Sequence, residues 1–319
     1  MKQTLVRDPA GASDLSVARP ESGATRRKLG VPIALQLAAM IGIGALVYSS
    51  AADWFSRLGH DSEISGYTSA VEQIDHPERE AKLATAREYN AHMPPGVLRD
   101  PYSGRASDDE QDAAYLAYEQ VLRVSDNGVM GQLSYPRLDI GLPLYHGTND
   151  SVLRKGIGHL YGSSLPIGGS HTHSVLTSHS GLLNASLFTS LPDARLGDTF
   201  SINVLGETHY YEVDQIETVL PEQTEGLRIV DGKDYVTLIT CTPIGINSHR
   251  MLVRGVRVPG PESAGGSVIA GDGRVAGFPW WAVALVGGSG AVAYLLFAPS
   301  RAARGARGGS HSAESRAAD

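Results

Sequence analysis

The stretch TLITCTPIGINSHRMLVRG, residues 237 to 255, holds the single cysteine of a 319-residue chain. Val236, Leu238 and Thr240 alternate with Thr237 and Ile239 on the way into Cys241, the two-residue period of a β-strand. Arg250 opens a second strand-like run, RMLVRGVRV, nine positions after the thiol. One strand end facing another is a rigid place to hold reactive side chains.

Working outward, the same texture covers the region from about Gly131. GQLSYPRLDIGLPLYHG, HSVLTSH, DTFSINVLG, ETHYYEVDQIETV, DYVTLITC and HRMLVRGVRVP are short runs bounded by turn residues. Such spacing predicts an all-β domain, a barrel or a sandwich, over residues 131–258. Upstream, residues 53–130 are helical in composition, with EREAKLATAREYNAHM amphipathic and DDEQD suited to a helix N-terminus. The two are separated by MPPGVLRDPYSG, residues 93–104, whose prolines and glycines require a loop. Asp100-Pro101 taken alone is ordinary turn chemistry. Residues 259–274 are a Gly/Pro/Ser linker, and there are no internal repeats.

Two segments lack charge, 29–52 and 275–300, and each reaches the ~20 residues that a helix needs to cross a bilayer. Arg26, Arg27 and Lys28 precede the first, and Arg301, Arg304 and Arg307 follow the second. Cationic flanks stay inside, which predicts cytoplasmic tails at 1–28 and 301–319 and an outward-facing body at the cell membrane. The small residues of SSAA, 49–52, leave cleavage of the first segment as a signal peptide open. Glycines 287, 288 and 290 weaken the second as a helix, whereas Trp280 and Trp281 suit a membrane interface.

The net charge of −7 hides basic ends. Six Lys/Arg against three acids in residues 1–28 and four against two in 301–319 leave −12 for residues 29–300. A body that acidic lacks the cations that nucleic-acid binding requires. An exported domain is free to form disulfides, yet Cys241 has no second cysteine to pair with. Its thiol is therefore either buried and inert or reactive.

A reactive thiol needs help, because at neutral pH only a few per cent of an unperturbed cysteine is thiolate. A histidine supplies an ion-pair partner and a proton for a leaving amine; an arginine stabilises a tetrahedral oxyanion. Among eleven histidines, His179 stands out, because VLTSHSGLLN places it at the end of an apolar strand, as Cys241 is placed. Arg250 competes with Arg254 and Arg257. His171 and His173 have no completing ligand cluster, so neither a metal nor another cofactor is expected. Eight residues between cysteine and arginine, Pro243 among them, do not fit a phosphate-cradling loop.

Together these stretches resemble the sortases of Gram-positive bacteria, specifically the pilus-assembling class C. TLITC matches the family's TLxTC signature, the arginine nine residues later falls where that class has one, and LTSHSGL is similar to LTGHRGL. LPLYHGTND, VLRKGIGHLYGSSLPIGG and the paired membrane segments agree as well. Ser178 and Ser180 depart from the family's Gly and Arg beside the histidine. The resemblance implies a closed, eight-stranded barrel with Cys241 as nucleophile, His179 as acid/base and Arg250 as stabiliser of substrate and oxyanion. It also implies that Asp100, Pro101 and Tyr102 form a lid motif over the site.

The implied reaction is cleavage of an LPxTG-like sorting signal through a thioacyl-enzyme and transfer to a lysine of another pilin. The implied partners are therefore pilin subunits. A housekeeping sortase that anchors proteins to the cell wall is the nearest alternative. A membrane-tethered binding module with an inert thiol is another. A papain-type protease fits poorly, since such enzymes place the cysteine before the histidine and at a helix start. Anchored cargo fits poorly too, because no LPxTG precedes Val275 and the partial match LPIGG, 165–169, lies within the β region.

Overall fold

The computed structural model describes residues 29–93, 98, 100–102, 112–260 and 276–298. The expected tails, almost all of the linker and most of the loop before the barrel lie outside the described residues.

The helix that begins in the first apolar segment does not end at residue 52. It continues as one helix, α1 (Gly30–Gln73), because the SSAA stretch contains no proline or glycine to stop it. At ~1.5 Å per residue it is about 66 Å long, so its second half stands clear of any bilayer that its first half crosses. α2 (His76–His92) starts where Asp75 accepts a hydrogen bond from the Glu78 N–H at 2.8 Å, with Pro77 in its first turn, and it buries Leu83 and Ala86. Two short helices follow, α3 (Ala113–Tyr118) and α4 (Asp150–Leu153), the latter capped by Asn149 on the Val152 N–H at 2.9 Å.

α5 (Trp280–Phe297) is the second apolar helix, and its glycines do not interrupt it. Instead they let it approach α1: a Cβ on Gly288 would stand 3.2 Å from Ile43 Cδ1. Gln36 donates to the Ser289 carbonyl at 3.1 Å, and the Trp54 and Trp281 rings meet 6.2 Å apart. Both helices are long and apolar enough to cross a membrane, and their apolar windows are not buried by protein.

Eight strands close into a barrel in the order β1-β2-β3-β4-β7-β8-β6-β5. They are β1 (Val129–Tyr135), β2 (Ile140–His146), β3 (Ile157–His159), β4 (Thr172–Thr177), β5 (Thr199–Val204), β6 (Glu207–Val219), β7 (Asp234–Thr242) and β8 (His249–Val258). Two pairs, β2/β3 and β4/β7, are parallel, and the rest are antiparallel. Closure removes the exposed edges of an open sheet.

Alternation sorts β7 between two apolar clusters. Val236 and Leu238 point into the barrel with Leu133, Leu144, Ile202 and Val253. Ile239 points outward with Leu160, Val175, Leu227 and Leu252, and this outer cluster is covered by Leu98 and Tyr102 of the pre-barrel loop. Cys241 shares the outward parity of Ile239. The strand register thus delivers the thiol to the covered outer face of the barrel wall.

Candidate active site

β4 and β7 run parallel with Thr177 beside Ile239. His179 follows two residues after Thr177 and Cys241 two residues after Ile239, so both stand at the same end of this parallel pair. Ser178 N–H donates to the Ile239 carbonyl at 3.2 Å, Thr240 Oγ1 donates to the Ser178 carbonyl at 2.9 Å, and Ser180 Oγ donates to the Cys241 carbonyl at 2.8 Å. The two serines that replace glycine and arginine beside the histidine are thus taken up locally: Ser178 Oγ donates to the Gly156 carbonyl at 2.6 Å. Arg250 lies directly across from Cys241 in the antiparallel β7/β8 pair. Thiol, imidazole and guanidinium come from three neighbouring strand ends.

The rival residues are occupied elsewhere. Arg254 pairs with Asp214 at 2.8 Å, and Arg257 sits 2.6 Å from His209. His173 donates from Nδ1 to the Arg228 carbonyl at 2.9 Å and accepts from Thr237 Oγ1 at 2.7 Å, whereas His171 faces Asp231. These two histidines diverge. Leu165 of the LPIGG stretch is fully buried.

Asp100 and Tyr102 lie over this constellation. The Asp100 carboxylate takes Arg250 Nε on Oδ1 and Nη2 on Oδ2, both at 2.8 Å. Arg250 Nη1 donates to the Asn247 and His249 carbonyls at 3.0 and 3.1 Å. The Tyr102 ring lies 4.9 Å from the guanidinium carbon and 5.7 Å from the His179 ring. Its hydroxyl donates to the Ser178 carbonyl at 2.7 Å and accepts from Thr177 Oγ1 at 2.7 Å.

Burial pushes the Cys241 thiol pKa up, and the Asp100 carboxylate adds to that rise. Arg250 pulls the other way without cancelling it. With the loop in place the sulfur is a protonated, covered thiol. Neither ingredient of nucleophilicity, ionisation or access, is available in this arrangement.

One residue at the site was not singled out in the sequence. Asp150, at the start of α4, places Oδ1 3.3 Å from His179 Nε2 and also pairs with Arg154 at 2.7 Å. Arg154 is the main reason its pKa is lowered, with His179 contributing. Nothing in the spacing of residues 150 and 179 signals this contact, since it arises from the β2-to-β3 connection folding past the end of β4.

A family model for the sortase domain matches residues 133–258. The chain is 43% identical to sortase C-1 from Actinomyces oris, in an alignment covering 57% of this chain and 99% of that one at a TM-score of 0.54. It is 40% identical to a Streptococcus pneumoniae sortase C whose structure bears on catalysis and pilin substrate specificity, covering 62% of this chain and 96% of that one at a TM-score of 0.56. Among curated sequences, Sortase A of Streptococcus agalactiae is 29% identical over 117 residues, which is 36% of this chain. The chain spans 47% of that relative's length.

Proposed function

Because this chain belongs to the sortase family, with sortase C enzymes among its relatives at about 40% identity, we propose that it is a pilin-polymerising cysteine transpeptidase. Cys241 is the nucleophile, His179 the acid/base and Arg250 the oxyanion donor. The substrate is a pilin carrying an LPxTG-like signal, and the acceptor is a lysine amine of a second pilin. α1 and α5 hold the barrel on the outer face of the cell membrane, with both chain ends in the cytoplasm.

The chemistry follows from the three groups. Cys241 passes its proton to His179, and the sulfur attacks the carbonyl carbon that follows the signal's Thr side chain. The oxygen of that carbonyl becomes an oxyanion facing Arg250. His179 then protonates the departing amine, the C–N bond breaks, and a thioester remains. A lysine amine attacks the thioester carbon, gives its proton to the imidazole, and expels the sulfur, leaving an isopeptide bond and the free enzyme. Water competes for the same thioester, and its exclusion decides between transfer and hydrolysis.

The observation that carries this reading is the junction of Cys241, Arg250 and His179 at three adjacent strand ends. The Asp100 fork on Arg250 adds a gate: the oxyanion donor is occupied until the loop leaves. Asp100 and Tyr102 therefore act as a lid whose opening frees the guanidinium and uncovers the sulfur.

The test is incubation of the detergent-solubilised full chain, with Asp100→Ala to open the lid, with a panel of LPxTG-type peptides. Mass spectrometry should find an acyl group on the peptide containing Cys241, released by hydroxylamine. A panel that leaves Cys241 unmodified in the lid-opened chain overturns the proposal.

A further inference from the structure

Which end of the barrel faces the bilayer can be worked out from the contacts of α1. Asp53 is the first charged residue after the apolar segment, and its carboxylate accepts the Ser186 N–H at 2.6 Å. One turn on, Arg57 reaches Asp139, in the turn between β1 and β2, at 2.6 Å. Farther out, Tyr67 donates to the Met130 carbonyl at 3.0 Å, near the start of β1, and accepts the Leu205 N–H at 2.8 Å. Asp53 and Tyr67 are separated by about 21 Å of helix. β1 therefore runs toward the apolar segment and β2 away from it.

The pairings extend this direction around the barrel. β3 is parallel to β2 and runs away, β4 is antiparallel to β3 and returns, β7 follows β4, and β8 leaves again. His179 follows the end of one returning strand, Cys241 lies in the last residues of another, and Arg250 lies at the start of a leaving one. The catalytic groups thus stand at the barrel end nearest the apolar helices.

That same end carries exposed apolar side chains. Leu183 follows β4, Leu196 precedes β5, Leu220 follows β6, and Ile244 and Ile246 follow β7. Leu183 is 76% exposed and Ile246 71%; single exposed apolar side chains are ordinary, but five on one rim make a patch. Ile244 packs against Gly181, so the β4 and β7 loops form one continuous rim. Leu183 is three residues from Ser186, which Asp53 holds, so it lies within about 11 Å of that anchor. Trp54 and Trp281 mark the same level on α1 and α5.

We propose that this rim rests on the lipid surface, with Leu183, Ile244 and Ile246 inserted at the boundary between headgroups and acyl chains and Leu196 and Leu220 beside them. The inference rests on the reading of α1 and α5 as membrane-spanning. Its consequence is that the lid opens and the thiol is uncovered at the bilayer surface. A membrane-anchored acyl donor then reaches Cys241 by lateral diffusion, while the acceptor amine arrives from the side.

Spin labels test it in the full chain, with Cys241→Ser so that only the introduced thiol is labelled. Leu183→Cys, Leu196→Cys and Ile246→Cys are compared with Leu46→Cys inside the apolar half of α1 and Val230→Cys in the connection leading to the far start of β7. In phosphatidylcholine vesicles, collisions with oxygen should exceed those with a water-soluble nickel chelate at the rim positions, as at Leu46, and the ratio should invert at Val230. All five sites are exposed, and matching circular dichroism melts show that the variants fold. Rim labels as aqueous as Val230 beside a lipid-exposed Leu46 overturn the docking and leave the anchoring intact. An aqueous Leu46 overturns both.

Discussion

Asp100 and Arg250, separated by 150 positions in sequence, face each other as a fork in which each carboxylate oxygen takes one guanidinium N–H at 2.8 Å. Both side chains are about nine-tenths shielded from solvent. A charge-assisted, two-bond pair is geometrically specific, and breaking it from one side strands a shielded cation. On the proposed mechanism, the substrate's oxyanion takes the place beside Arg250 that the carboxylate holds now.

Replacing Asp100 with Ala removes a charge that holds the thiol protonated and leaves Arg250 free to stabilise the thiolate. Burial still holds the Cys241 pKa up, but it should fall once the carboxylate is gone, which raises the thiolate fraction at neutral pH. Alkylation by iodoacetamide should accelerate, and Asp100→Ala with Tyr102→Ala should add access to ionisation. Equal labelling rates in parent and double variant would discard the lid.

Acid should loosen the barrel. Burial lowers His159 to about 3 and His173 to about 4, below the ~6.5 of an unfolded chain. His159 donates from Nε2 to the Ser164 carbonyl at 2.8 Å and accepts from Tyr118 at 2.7 Å, a pairing that an imidazolium cannot keep. A depressed pKa means that the unfolded state binds more protons between the two values. Stability is therefore fully present above about pH 6.5 and is lost as pH falls toward 4. At pH 5 each of these histidines costs about 2 kcal/mol. Urea melts at pH 7 and pH 5 check this, and a flat result rejects it.

How far the sequence foretold this molecule depends on the range over which each feature acts. Short runs bounded by turn residues marked seven of the strands because those signals are local, and the TLITC and LTSH stretches lie at strand ends. β3, three residues all buried, has no alternation to detect and takes its shape from pairing with β2 and β4. Asp150 beside His179 and Asp53 beside Ser186 are contacts made by chain paths, which no local spacing encodes. The unbroken α1 belongs to the same class: the end of the charge-free run suggested a boundary, but charge does not stop a helix.

Gly255 is another case where the reason lies on neighbouring strands rather than in its own. A Cβ there would stand 2.6 Å from Phe200 Cε1 and 2.9 Å from Tyr211 Cβ. Phe200 and Tyr211 are themselves fully buried and stacked 5.6 Å apart, so neither ring has room to retreat. Gly255→Ala should destabilise the barrel by about 1–3 kcal/mol through overpacking. A denaturant midpoint equal to that of the parent would show that the rings yield.

The chemical roles separate most cleanly at Arg250 and Cys241. Arg250→Lys keeps a positive charge but loses the planar fork, so it should weaken the Asp100 pair and misplace the oxyanion donor at once. The lid should open more readily, raising alkylation of Cys241, while peptide acylation falls by about a hundred-fold, the scale of losing an oxyanion donor. Opposite movement of these two rates is the signature, because a merely structural defect would move them together or not at all. Cys241→Ala provides the baseline: the chain has no other thiol, so cleavage and polymerisation should both vanish while the melting curve stays in place. Residual polymerisation in Cys241→Ala would remove the sulfur from the mechanism. Parallel rates in Arg250→Lys would remove the guanidinium from it.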